Sequence, residues 1–98
     1  MNLDKQKILS FLKDNKEFLK NEFDVHEIKL FGSYARGEET EKSDIDLMVK
    51  FGTPSYDKLF SLKEWLEKKL GKECDIVRIR KNIKKKFMDR VDKELLNV

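Results

Sequence analysis

Cysteine, proline and histidine are almost absent from this sequence, which has one residue of each. A lone cysteine, Cys74, excludes a disulfide framework within the chain and also excludes a cysteine-based metal site. We interpret Cys74 as a buried strand residue. We interpret the single histidine, His26, as a surface or structural residue, because it lies at the start of a predicted strand and far from the reactive residues described below.

Long apolar runs are also absent. Residues 1–5 lack the apolar core of a signal peptide, and no stretch approaches the roughly 20 apolar residues that cross a bilayer. Together with the lone cysteine, which suits a reducing compartment, this pattern leads us to expect a cytoplasmic protein without a membrane partner.

The chain is short, with 98 residues, and we expect one domain over residues 1–98. Such a length can bury about one layer of helices on one sheet. Hydrophobic residues make up 39% and charged residues 42% of the chain. This balance favours a globule with a highly charged surface over a disordered chain.

The net charge of +3 is too small to indicate nucleic-acid binding by itself. The charges are unevenly distributed, however. Residues 38–46 carry five acids and one lysine, whereas residues 78–86 carry six basic residues and no acid. The basic run is explained either by the solvated start of a helix or by contact with a triphosphate, RNA or an acidic partner. The polar connection over 38–42 is not expected to be rigid.

The apolar pattern predicts an α/β (α+β) fold, with a small mixed sheet of three or more strands packed with about four helices. Apolar residues at spacings of three and four predict one amphipathic helix over 3–23 and a final helix over 83–95. A short helix is predicted at Ser33, and a long one between a Ser55 cap and a Gly71 stop. The predicted strands are 25–31, 44–51 and a third within 72–80.

Several aromatic residues have two interpretations. Phe11, Phe18 and Phe23 fit either the core side of the first helix or a stripe that binds a partner, and we favour the core. Tyr34 fits packing at the short helix better than a position bordering a nucleotide. Trp65 is interpreted as a core residue, with an interface position as the alternative.

Asp44 and Asp46 form an acid-apolar-acid triplet around Ile45. On an extended strand, both carboxylates point to one face, whereas Ile45 and the following Leu47 point to the other. Two carboxylates so close repel each other unless a cation neutralises them, and Mg²⁺ is the usual hard cation for paired carboxylates and substrate phosphates. The triplet therefore predicts a magnesium site.

Gly32 and Ser33 follow an apolar run, so the chain is predicted to turn tightly after a strand and to begin a short helix. Glycine lets a phosphate approach the backbone, the serine hydroxyl donates a hydrogen bond, and free N–H groups at a helix start favour negative charge. Arg36 could add a permanently charged, planar donor. A phosphate site next to a metal site indicates phosphoryl or nucleotidyl transfer.

Residues 32–37, Gly-Ser-Tyr-Ala-Arg-Gly, and residues 43–47, Ser-Asp-Ile-Asp-Leu, together resemble the signature of the nucleotidyltransferase superfamily related to DNA polymerase beta. The chain especially resembles the minimal nucleotidyltransferases of the MntA type, which are antitoxin partners of HEPN-domain toxins. The paired motif is specific at this spacing, and the resemblance covers nearly the whole chain.

The resemblance implies a polymerase beta-like nucleotidyltransferase fold and a third carboxylate on a following strand, which we assign to Asp75. By itself, Asp75 would be interpreted as a solvent-facing acid. The resemblance further implies two Mg²⁺ ions held by Asp44, Asp46 and Asp75, with ATP as the substrate. It implies transfer of AMP onto a tyrosine hydroxyl of a HEPN ribonuclease toxin. Since longer relatives use a second domain to hold the acceptor, a separate protein is the expected acceptor here.

Two functions of other classes are alternatives. One is a non-catalytic antitoxin that neutralises its toxin by binding, although a protein that acts only by binding would have no physical need for three converging acids. The other is a nucleic-acid-binding module that uses the basic run 78–86, which lacks a recognised binding motif and a pattern of stacking aromatic residues. The sequence is also compatible with a homo-oligomer.

Overall fold

The computed structural model describes residues 3–79 and 96–97. The first helices and strand are α1 (Lys5–Asp14), α2 (Lys16–Phe23) and β1 (Val25–Phe31), followed by the short helix α3 (Gly32–Arg36). The remaining elements are β2 (Ile45–Phe51), α4 (Tyr56–Leu70), β3 (Cys74–Arg78) and β4 (Leu96–Asn97).

The strands form one mixed sheet in the order β3-β2-β1-β4. β1 is antiparallel to both β2 and β4, whereas β2 is parallel to β3. Helix α4 makes the crossover that a parallel pair requires. The predicted α/β class and mixed sheet are thus confirmed.

The prediction of one helix over 3–23 is wrong, because the chain leaves the helical path at Asn15. The Asn15 side-chain Nδ2 donates to the Phe11 carbonyl at 2.8 Å, and the Asn15 backbone N–H donates to the same carbonyl at 3.1 Å. An asparagine side chain that competes for backbone groups in this way favours a helix end over a helix interior. The described chain has four helices, but the predicted final helix over 83–95 lies outside the described residues.

The core lies between the sheet and the longer helices. Burying these apolar side chains is the main source of stability for such a fold. The residues from the helices are Ile8, Leu12, Leu19, Leu62 and Leu66, and those from β1 and β2 are Val25, Ile28, Leu30, Ile45, Leu47, Val49 and Phe51.

Met48 lies two residues after Asp46 in β2 and therefore on the same face of the strand. It is fully buried and does not belong to the core cluster formed with the helices. The face of β2 that carries Asp46 is therefore covered at Met48 and only partly open at Asp46, which is half-buried.

Helix α4 begins and ends where the sequence predicts. The Lys58 backbone N–H donates to the Ser55 hydroxyl at 3.4 Å, and Gly71 ends the helix with a left-handed φ of 70°. Of the helices in residues 3–79, none has the length and apolar character that a bilayer crossing requires.

An aromatic cluster joins α1 and α2 to α4. The centre of the Trp65 ring lies 5.6 Å from that of Phe11, 5.1 Å from Phe18 and 5.8 Å from Phe23. Phe11, Phe23 and Trp65 are partly buried against the core, whereas Phe18 keeps 41% of its surface exposed. The core interpretation is thus confirmed for three of these rings, and Phe18 lies at the edge of the cluster.

Candidate active site

Gly32 is the first residue of α3, directly after β1 and beside Asp46. Its neighbour Phe31 is the register partner of Asp46 in the antiparallel pair β1–β2. Gly32 has a φ of +78°, and a β-carbon there would lie 2.9 Å from Asp46 Cγ and would overlap Asp46 Oδ2. The absence of a side chain at Gly32 therefore provides the space that the Asp46 carboxylate occupies.

Asp46 and Asp75 lie side by side on neighbouring strands, because they are register partners in the parallel pair β2–β3. Partners in a ladder project to the same face of a sheet. The preceding partners, Ile45 and Cys74, project to the other face and are both buried. Asp46 is half-buried and Asp75 exposed, so the two carboxylates share the face that is not filled by the core.

Asp44 lies in the connection just before β2 and is exposed. The prediction that the strand begins at Asp44 is therefore wrong by one residue. Within residues 3–79 and 96–97, no three histidine, cysteine or acidic side chains are close enough to hold a metal ion. The structure thus places Asp46 beside Asp75 but does not gather all three aspartates into one compact group.

The other predicted phosphate-binding residues lie on α3. Ser33 is half-buried in its first turn, and the cap residue Phe31 supplies no side-chain hydrogen bond to the helix start. Arg36 Nε donates to Glu38 Oε2 at 3.0 Å, an ion pair that is largely exposed and therefore weak. Tyr34 is buried, with 2% of its surface exposed, which confirms its interpretation as a packing residue.

The connection over 38–42 contains a hydrogen-bonded turn, which the sequence did not predict. The Ser43 backbone N–H donates to the Thr40 carbonyl at 3.0 Å, and the Thr40 backbone N–H donates to the Ser43 hydroxyl at 2.9 Å. The Lys42 backbone N–H donates to the Thr40 hydroxyl at 3.3 Å. These bonds order the chain immediately before Asp44.

Lys72 is a residue of this region that the sequence analysis missed. It follows the end of α4, and its ammonium group donates to the carbonyls of Glu41 at 2.7 Å and Ser43 at 2.9 Å. It also lies over the Tyr34 ring, 5.9 Å from the ring centre. No local sequence signal could have found these contacts, because the partners are about 30 residues away along the chain and the acceptors are backbone carbonyls.

The opposite end of β1 carries a separate polar cluster centred on Asp24. Its carboxylate accepts from the Lys58 ammonium at 2.8 Å, from the Thr53 backbone N–H at 2.8 Å and from His26 Nε2 at 3.0 Å. The Lys58 hydrogen bond and then the Thr53 bond hold the pKa of Asp24 well below its usual range. His26 is thus a structural surface residue, as predicted. Asp24 links the start of β1 to α4 through its bond with Lys58.

Cys74 joins β3 to α4 and takes no part in the carboxylate face. Its backbone N–H donates to Glu67 Oε2 at 2.9 Å, and the same oxygen accepts from Lys63 Nζ at 3.2 Å. Burial raises the pKa of the Cys74 thiol to about 12, because a low-dielectric surrounding disfavours the thiolate. Cys74 is therefore a buried packing residue whose thiolate form is disfavoured.

A cavity of about 470 Å³ opens beside Tyr34, Thr40, Leu70 and Lys72. None of the three candidate aspartates lines it. The cavity therefore lies behind the turn that leads to Asp44, and the carboxylates lie on the open face of the sheet.

Comparison with known sequences defines the class of protein. Residues 13–96 match the family described as polymerase beta, nucleotidyltransferase. Because this match spans most of the chain, the protein belongs to the polymerase beta nucleotidyltransferase family and is a nucleotidyltransferase.

Individual relatives narrow this assignment. Over 95 residues, the chain is 41% identical to a candidate protein adenylyltransferase of Methanocaldococcus jannaschii, with 93% of this chain and 94% of the relative covered. Over 94 residues, it is 39% identical to the protein adenylyltransferase MntA of Thermococcus cleftensis, with 95% and 94% covered.

Solved structures agree with these relatives. A candidate minimal nucleotidyltransferase superposes with a TM-score of 0.81 at 26% identity, covering 99% of this chain and 98% of that one. A crystal structure of a toxin-antitoxin with AMP-PNP superposes with a TM-score of 0.68 at 27% identity, covering 97% and 72%. The predicted resemblance to minimal nucleotidyltransferases is thereby confirmed.

Proposed function

We propose that this chain, acting as a single minimal domain, transfers AMP from ATP onto a tyrosine hydroxyl of a HEPN ribonuclease toxin and so acts as the antitoxin of that toxin. The observation that carries the proposal is the contact of Gly32 with Asp46, which itself lies beside Asp75. A residue without a side chain thus borders Asp46, and Asp46 lies beside a second carboxylate on the same face of the sheet. The protein adenylyltransferase relatives and the AMP-PNP-containing toxin-antitoxin support the choice of nucleotide and acceptor class.

The donor set of this face fits Mg²⁺. Carboxylate oxygens are the hard ligands that Mg²⁺ accepts alongside substrate phosphates. Asp46 and Asp75 would supply such ligands from neighbouring strands, and Asp44 would join them from the connection before β2. In this proposal the three aspartates would hold two Mg²⁺ ions, which would supply charge neutralisation near the triphosphate and the incoming hydroxyl.

The residues of α3 bind the triphosphate in this proposal. The bare backbone at Gly32 lets a phosphate oxygen approach, and the Ser33 hydroxyl donates to it. Arg36 exchanges its exposed partner Glu38 for a phosphate oxygen. The acceptor hydroxyl releases its proton to solvent as its oxygen bonds to the α-phosphorus, the bond from that phosphorus to the oxygen shared with the β-phosphorus breaks, and pyrophosphate leaves. Positioning and charge neutralisation supply most of the rate enhancement.

The proposal is tested with Asp46→Asn and with Asp14→Asn as a matched control, since Asp14 is an exposed acid at the end of α1. Each purified protein is incubated with α-labelled ATP, Mg²⁺ and a purified HEPN toxin, the acceptor that the proposal names. The wild type and the Asp14→Asn control should label the HEPN protein. Asp46→Asn should lose at least about 100-fold in rate, because it removes a charge that stabilises the transition state, while its circular dichroism spectrum stays native.

Label retained by a folded Asp46→Asn protein would contradict the catalytic assignment. A stable complex with the HEPN protein that forms without any transfer of label would instead support neutralisation by masking. The labelled residue, located by peptide mass spectrometry, tests whether the acceptor is a tyrosine.

A further inference from the structure

We propose that Lys72 is a positioning residue that holds Asp44 against the start of β3, and so fixes it relative to Asp75. This inference rests on the proposed function only for the role of Asp44 as a metal ligand. The positioning itself rests on the contacts of Lys72 with the turn over 40–43.

The Lys72 ammonium group binds two carbonyls of this turn at once. Its bond to the Ser43 carbonyl, at 2.9 Å, fixes the peptide group that joins Ser43 to Asp44. Its bond to the Glu41 carbonyl, at 2.7 Å, fixes the turn two residues earlier. An ammonium group has three donors and no acceptor, and its hydrogen bonds to neutral acceptors are stronger than those between neutral groups.

The residue after Lys72 fixes the peptide group on the other side of Asp44. The Ile45 backbone N–H donates to the Glu73 carbonyl at 3.0 Å. Consecutive residues, Lys72 and Glu73, thus hold both peptide groups that flank Asp44. Because the same segment continues into β3, where Asp75 lies, these contacts connect Asp44 and Asp75 through a short, defined path.

The lysine is itself held in place. Its ammonium group lies 5.9 Å from the centre of the Tyr34 ring, and Tyr34 is a buried residue of α3. Lys72 is half-buried, so its side chain has less rotational freedom than an exposed lysine. It therefore connects α3, the turn before β2 and the start of β3, the three segments that carry the predicted phosphate and metal ligands.

Loss of the ammonium group should displace Asp44 without unfolding the protein. The Glu41 carbonyl belongs to an exposed residue, so water can replace the lysine there. The bond between Ile45 and Glu73 is made by backbone atoms and survives any side-chain change. Without the ammonium group, the orientation of Asp44 relative to the turn over 40–43 is no longer fixed.

The first test uses Lys72→Met, which keeps an unbranched side chain of similar size and removes the ammonium group, and Lys68→Met as a control on an exposed lysine of α4. Changing a group that orients a metal ligand typically lowers metal affinity or activity by about 10- to 100-fold. For Lys72→Met we expect a fall of this size in AMP transfer at low Mg²⁺, partly reversed at high Mg²⁺, and an unchanged KM for the acceptor. Lys72→Arg should recover most of the rate, and Lys68→Met should match the wild type.

The second test needs no activity and no metal. Hydrogen-deuterium exchange of residues 40–43 should be at least about 10-fold faster in metal-free Lys72→Met than in wild type, since local opening sets exchange rates, while exchange in α4 stays unchanged. Equal exchange in the turn, or a lost activity that does not depend on the Mg²⁺ concentration, would overturn the inference. A wild type that transfers no AMP but shows the faster exchange on substitution would refute the proposed function and leave the positioning role supported.

Discussion

Comparing Gly32→Ala with Gly37→Ala separates the cost of backbone strain from the effect of displacing the Asp46 carboxylate. Gly32 and Gly37 both have left-handed φ values, +78° and +73°. An alanine β-carbon would meet Asp46 Cγ at 2.9 Å at position 32, but would have nothing within 4 Å at position 37. Gly37→Ala is therefore a matched control that carries the strain without the overlap.

The two substitutions should differ in their effect on the free energy of unfolding only through the overlap of the new methyl group with Asp46. A left-handed conformation costs an L-residue about 1–2 kcal/mol, so Gly37→Ala should lower the free energy of unfolding by this amount. Forcing an extra methyl group against packed atoms typically adds about 1–3 kcal/mol, so Gly32→Ala should cost about 2–5 kcal/mol in all. For a domain of this size, each kcal/mol lowers Tm by about 4–8 °C.

The activities should differ more than the stabilities. Because the new methyl group overlaps Asp46 Oδ2, the carboxylate must move, and a displacement of about 1 Å at a catalytic group can cost about 100-fold in rate. AMP transfer by Gly32→Ala should therefore fall about 100-fold at a temperature where both variants are folded. Gly37→Ala should transfer AMP at nearly the wild-type rate. Equal rates for the two variants would refute the view that Gly32 is required by the position of Asp46.

Two further predictions concern residues outside the carboxylate face. The depressed pKa of Asp24 contributes stability in full above the unfolded-state pKa, about 3.9, and this contribution is lost as the pH falls through the folded-state pKa. Urea unfolding should thus give the wild type a larger free energy of unfolding than Asp24→Asn at neutral pH. This difference should shrink below about pH 4, and a difference independent of pH would contradict the prediction. Cys74 has a raised pKa because it is buried. At about pH 8.5 an ordinary thiol is half ionised, but a thiol reagent should label Cys74 only after unfolding. Rapid labelling of Cys74 in the native protein would exclude this burial.

The local features of the fold could be predicted from short stretches of sequence. The alternation of Ile45, Leu47 and Val49 predicts a strand with one buried face, and these residues are fully buried. Ser55 and Gly71 predict the ends of α4 because capping depends on one residue and its nearest peptide groups. The break between α1 and α2 was not predicted, because the apolar spacing continues past Asn15, where the Asn15 side chain binds the Phe11 carbonyl.

By itself, the sequence determined which residues carry the reactive groups and in what order they follow one another. Gly32 after an apolar run and two acids separated by Ile45 have chemical consequences that hold for any strand and turn of that sequence. The tertiary structure alone decided which of these groups become neighbours. The parallel pairing of β2 and β3 places Asp75 beside Asp46. The hydrogen bond from Lys72 to the Ser43 carbonyl fixes the turn that precedes Asp44. Such contacts depend on how distant segments pack, and distant packing leaves no periodic pattern in the chain.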